Sequence, residues 1–111
     1  MDFEELDSFD KSIIDDVEKF DDLQSSLIST PVQGAQPSEL GGARKVRIGR
    51  KGGGKSGGFR IFYFICSNIP RISFIYVINK REQDNLKPVE KKFIKKIVEQ
   101  LKKRCKKIKK G

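Results

Sequence analysis

The chain has no histidine and no tryptophan, one methionine and only two cysteines. Without histidine there is no serine–histidine or cysteine–histidine pair, and no paired carboxylates stand in for them, so most hydrolase schemes lack their proton-transfer groups. The same shortage leaves a zinc or iron site almost without ligands, and no cofactor is expected. No stretch approaches the roughly 18 apolar residues of a membrane-crossing helix. The N-terminus lacks the basic run followed by an apolar run of a signal peptide. Cys66 lies in an apolar run and Cys105 in a helix-like run. Two such isolated cysteines read as reduced thiols of a cytoplasmic protein rather than as a disulfide.

What the chain does have is charge, unevenly placed. Its 111 residues suit one domain, 1–111, and an apolar fraction of 36% gives that domain a modest core. The formal net charge is +9, with eleven Asp/Glu against two Lys in residues 1–40 and twenty-two Lys/Arg against four Asp/Glu in residues 41–111. The acidic part can neutralise some of the basic part within one fold, but the excess that remains is the footprint of a polyanionic partner.

Hydrophobic period divides the chain. From Phe9, the residues Ile13, Ile14, Val17, Phe20, Leu23, Leu27 and Ile28 recur at three and four, predicting one amphipathic helix with a break near Asp21–Asp22. Residues 1–6 fit either a short edge strand or a frayed helical turn. Residues 29–42, with two prolines and three glycines, read as a loop. Arg44-Lys45-Val46-Arg47-Ile48, Phe59–Ser67 and Ile72–Asn79 read as three consecutive antiparallel strands joined by short connections. The nearly continuous apolar character of the second and third predicts a sheet covered by a helix. Residues 88–108 form the clearest helix, with Pro88 at its first position and a stripe of Val89, Phe93, Ile94, Ile97, Val98, Leu101, Cys105 and Ile108. The expectation is an α+β fold.

Gly49–Ser56 satisfies the pattern G-x-x-x-x-G-K-S of phosphate-binding loops. Such a loop works by leading straight into a helix N-terminus and on to a parallel strand with a metal-binding aspartate. Here two glycines and an apolar strand follow, so the segment reads as a basic hairpin loop whose Arg50, Lys51 and Lys55 touch phosphates without sequence preference. Lys45 and Arg47, two residues apart on a strand, project from one face. Arg60 on the next strand and Lys80-Arg81 at the end of the third could join them there, or all could form a solvated outer surface. Of the interleaved aromatics, Phe59, Phe62, Phe64 and Phe74 read mainly as core, and Tyr63 is a candidate for stacking on a base.

The run LGGARKVRIGRKGGGKSGGFRIFYF, followed after a turn by FIYVINKREQDNLKPVEKK, resembles RelE/HigB-type toxins, especially the HigB-like branch. The resemblance covers roughly residues 22–101 in order and spacing of motifs. It implies a RelE-like antiparallel-rich sheet flanked by two N-terminal helices and one C-terminal helix. It also implies a toxin silenced by an antitoxin, here of helix-turn-helix type, which cleaves messenger RNA on the ribosome without a metal. Lys45 and Arg47 match the family's paired basic strand positions, Arg60 the arginine of the next strand, and Lys80 or Arg81 the basic residue closing the third. Arg44, Arg50, Lys51, Lys55 and Tyr63 would then contact RNA. Two positions depart from relatives: Arg47 stands where some have lysine, and Leu86 near where some have tyrosine. A non-catalytic gyrase inhibitor of ParE type and a non-toxic nucleic-acid-binding module are the alternatives on the same pattern.

Overall fold

The structure, a computed structural model, describes residues 1–53 and 57–108. Strands β2 (Arg44–Ile48), β3 (Phe59–Cys66) and β4 (Arg71–Asn79) pair antiparallel in chain order, as the short connections between them require. The register shifts at a bulge between Phe62 and Tyr63. The ambiguous N-terminus is a strand, β1 (Asp2–Glu5), running parallel to β4 and giving the sheet order β1-β4-β3-β2. Its Phe3 stacks on Phe74 at 5.8 Å between ring centroids. Glu4 accepts hydrogen bonds from the buried Ser73 hydroxyl and from Arg104. Burial works against ionisation of Glu4, yet those bonds and the charges of Arg104 and Arg71 hold its carboxyl below the usual value.

The single helix expected from Phe9 onward does not form. Helix α1 begins at Val17 and runs to Ser29, where Asp16 caps it by accepting from the Lys19 N–H at 3.1 Å. Upstream, Asp10 accepts from the Ser12 N–H over a single 3₁₀ turn, Lys11–Ile13, after which Ile14 is extended. Two competing aspartate caps therefore place the break before Val17, while Asp21 and Asp22 stay inside the helix. Phe9 and Ile14 are buried all the same, so their spacing recorded burial and not helical geometry. In place of two N-terminal helices the described chain has one α-helix and this turn. Helix α2 (Pro88–Lys107) closes the fold as expected, except that Val89 and Phe93 of its apolar stripe are 70% and 41% exposed. No helix among the described residues is long and apolar enough to cross a membrane.

Each face of the sheet has its own core. Beneath α1, Phe20, Leu23 and Leu27 pack with Phe9, Phe59, Ile61, Tyr63 and Phe74. Phe9, Phe20 and Phe74 form a three-way aromatic contact with centroid separations of 5.1–5.6 Å. Beneath α2, Ile94, Val98 and Leu101 pack with Phe62, Phe64, Ile75, Ile78 and Leu40. Leu40 belongs to a third 3₁₀ turn, Ser38–Leu40, which follows one at Pro31–Gln33 and pins the loop before β2 against α2.

Cys66 and Cys105 are joined as a disulfide, with their Cα atoms 5.7 Å apart, so the expectation of two reduced thiols is corrected. The bond ties the end of β3 to the last turns of α2. A chain separation of 39 residues hid that adjacency from a reading of composition.

Candidate nucleic-acid cleft

The α2-side core stops short of β2, and a cleft of about 160 Å³ opens there. Its floor is Phe62 and Ile78 of the sheet, its walls are Pro37–Leu40 and the start of α2, and Lys45, Arg60, Glu39, Asn85, Leu86 and Lys91 border it. Register explains the convergence of two of the expected residues. Lys45 lies opposite Phe62 and Arg47 opposite Arg60, so all four share the face that α2 covers only in part.

Arg47 and Arg60 are directly opposed like charges, an arrangement that destabilises a sheet unless something anionic comes between them. No carboxylate among the described residues forms an ion pair with Lys45, Arg47 or Arg60. The Arg60 Nε is buried with no hydrogen-bond partner. A buried donor without a partner is costly, and a phosphate oxygen entering the cleft would satisfy it. Lys91 is the third cation at the cleft and pairs with Glu39 at 3.1 Å.

The other expected residues stand elsewhere. Arg47 is exposed at the sheet edge and also borders a shallow groove beside α1. Lys80 donates its ammonium to the Asp84 carbonyl, and Arg81 lies exposed beside Gly57; neither borders the cleft. Arg44 donates to the carbonyls of Val32 and Gly34 at 3.2 and 2.9 Å and so fastens the loop after α1. Arg50 is buried, paired with Asp15 at 3.1 Å, hydrogen-bonded to Asn79, and lies 4.6 Å from the centroid of the Phe59 ring. Lys51 is exposed on the far side near Asp15, which accepts its N–H at 3.1 Å. Lys55 lies outside the described residues.

Tyr63, expected to stack on RNA, is completely buried in the α1-side core. Its hydroxyl donates to the Pro31 carbonyl at 2.8 Å and accepts from the Gly34 N–H at 3.1 Å. Burial pushes its phenol up, against the Gly34 bond and the Arg44 charge. A Cβ at Gly34 would come within 2.7 Å of that hydroxyl, which is why only glycine suits the position. Leu86 borders the cleft, so its wall at that position carries no hydroxyl.

Glu90, in the first turn of α2 next to Lys91, lies outside the cleft lining. It accepts from the Tyr76 hydroxyl at 2.6 Å, the Lys87 N–H at 2.7 Å and the Gln83 amide at 2.8 Å. Burial would raise its carboxyl, but those bonds outweigh it and hold the group below its usual value. The same contact pushes the Tyr76 phenol up to about 12, chiefly through the hydrogen bond to Glu90 and then through burial.

Sequence reasoning missed Glu39, Asn85 and Lys91. Glu39 is the single acid of the 29–42 loop and Lys91 one of many lysines on α2, so only the fold distinguishes them. Among the described residues no group of three His, Cys, Asp or Glu side chains could hold a metal ion.

The chain is thus a basic α+β protein with a cation-lined cleft at the open end of its sheet. Over residues 9–110 the chain matches the family described as the RelE toxin of the RelE/RelB toxin-antitoxin system. It belongs to that family, and is a toxin of the kind that is paired with an antitoxin.

Proposed function

We propose that this toxin is a metal-independent endoribonuclease of the HigB-like branch that acts on messenger RNA at the ribosome, in the cytoplasm. Its antitoxin would be a helix-turn-helix protein. The observation that carries the nuclease reading is the buried, unpartnered Arg60 Nε beside Lys45 in a cleft open to solvent. Cleavage without a metal uses the RNA's own 2′-hydroxyl as nucleophile on the adjacent phosphate. Charge then builds on the phosphoryl oxygens, and cations fixed in advance stabilise it most where that charge grows. Arg60 supplies a forked, charge-assisted contact and Lys45 a point charge. Arg47, Lys80, Arg81 and the exposed lysines of α2 lie outside the cleft and add a general attraction for a phosphate backbone.

The test is cleavage of messenger RNA on programmed ribosomes, with ribosome pelleting alongside. Arg60→Ala is expected to slow cleavage about a hundredfold or more, the usual order for removing a donor from a developing anion. Pelleting should fall far less, because many other cations contribute to it. Wild-type protein that cleaves nothing, yet arrests growth and inhibits gyrase, would establish the non-catalytic alternative instead.

A further inference from the structure

We propose that Glu39 is the general base of this reaction, an inference that rests on the nuclease reading above. A 2′-hydroxyl must lose its proton as it attacks, and the groups around the cleft leave few candidates. Arg60 cannot accept a proton near neutral pH. Lys45 and Lys91 are cations in a cluster of cations, and the chain has no histidine. Leu86 brings no hydroxyl to the cleft, Tyr63 is sealed under α1, and the Tyr76 hydroxyl is committed to Glu90. Glu39 is the one acid among the residues that border the cleft, and a positioned carboxylate is a common general base.

Its placement suits the role. Leu40, the next residue, is buried against α2 and anchors the 3₁₀ turn, while Gly41 leaves it through a left-handed φ of 70°. Glu39 is thereby held over the mouth from a fixed turn. Its Oε1 lies 3.1 Å from the Lys91 Nζ, and both residues border the cleft, so the ion pair holds the carboxylate there.

In the step itself, Glu39 takes the proton of the 2′-hydroxyl as the 2′-oxygen bonds to phosphorus. Arg60 and Lys45 hold the phosphoryl oxygens. The bond from phosphorus to the 5′-oxygen breaks, and that oxygen takes a proton from the Lys45 ammonium. The products are a 2′,3′-cyclic phosphate and a 5′-hydroxyl, and the proton on Glu39 returns to Lys45 through solvent.

The experiment measures single-turnover cleavage on programmed ribosomes from acid to alkaline pH for wild type, Glu39→Gln, Glu39→Asp and Lys91→Met, with thermal melts and ribosome pelleting as controls. Glu39→Gln is expected to lose about a hundredfold or more in rate, the common range for a general base, with melting and pelleting unchanged. It should also lose the acidic limb of the pH–rate profile. Glu39→Asp should keep that limb and part of the rate, and Lys91→Met should keep the limb at reduced rate. A Glu39→Gln protein that cleaves at close to the wild-type rate, or retains the acidic limb, overturns the assignment. So does one indistinguishable from Lys91→Met in both rate and limb, because Glu39 would then only position Lys91. If wild-type protein itself cleaves nothing, the nuclease reading fails and takes the base with it, a result distinct from the others.

Discussion

Arg44 and Arg50 on the α1 side of the sheet, and Lys45 and Arg60 on the α2 side, are close in sequence and treated in opposite ways by the fold. The first pair is consumed by structure: loop carbonyls occupy Arg44, while Asp15, Asn79 and the Phe59 ring occupy Arg50. The second pair borders a cleft with no carboxylate partner among the described residues. The apolar layers differ in the same sense. The α1 side is a continuous aromatic core, and the α2 side gives way to polar walls before it reaches β2. One face thus supplies rigidity, and the other, held up by it, can tolerate directly opposed cations; a buried Nε without a hydrogen-bond partner occurs on both, at Arg50 and at Arg60. Unsatisfied charge is affordable only where the rest of the sheet is well packed.

The strongest way to break that comparison is to damage the packed face. Phe20 is fully buried and touches both Phe9 and Phe74. Phe20→Ala should cost about 3–5 kcal/mol, as large-to-small changes in aromatic cores do. Urea unfolding followed by circular dichroism reads this directly. If the two faces are separate in function, the fraction that remains folded should still cleave RNA at the wild-type rate. A small loss of stability would mean that α1 is not the main support.

A smaller effect comes from the buried cation of that face. Asp15→Ala removes the acceptor of the Arg50 guanidinium and of the Lys51 N–H. Leaving a mostly buried charge short of a partner should cost about 1–3 kcal/mol, less than the full penalty of a deep ion pair because Asp15 itself is partly exposed. Unfolding midpoints measure it, and cleavage per folded molecule should not change. Arg60→Ala is the mirror image, with activity lost and stability kept or improved. A reversal of these two outcomes would mean that the roles of the two faces are misassigned.

How far each feature could be read beforehand depends on whether its cause is local. β2, β3, β4 and α2 were legible because their alternating, continuous and helical patterns run unbroken through each element, and Lys45 and Arg60 follow from the strand register. The start of α1 was not legible, since Asp10 and Asp16 are both good caps and the apolar spacing passes straight across them. Whether a cation is free depends on residues far off in the chain, as Arg50 and Asp15, 35 positions apart, show. The Cys66–Cys105 bond, the burial of Tyr63 and the pairing of Glu39 with Lys91 are of the same kind. Charge could be counted in the sequence, but its satisfaction belongs to the fold.

The smallest expected effect lies in the first turn of α2, beside the cleft. Glu90 has a folded-state carboxyl held below 4.5, so its share of stability is complete above that value and is lost as pH falls through the lowered one. Tyr76 has its phenol raised from 10.0 to about 12, so its share is complete below 10.0 and is lost as pH rises toward 12. Tyr76→Phe removes the bond behind both shifts. At neutral pH it should cost on the order of 0.5–1 kcal/mol, a charge-assisted hydrogen bond discounted for solvent. Urea midpoints measured across pH should fall less steeply than wild type at both the acid and the alkaline end. Some acid loss will remain, because Glu4 is lowered by its own partners, Arg104 and Ser73. Cleavage should slow modestly if Glu90 fixes the wall that carries Lys91. Unchanged cleavage with the altered pH dependence would place Tyr76 and Glu90 with the structural residues of the other face, and the cleft would then depend on the sheet and the 3₁₀ turn alone.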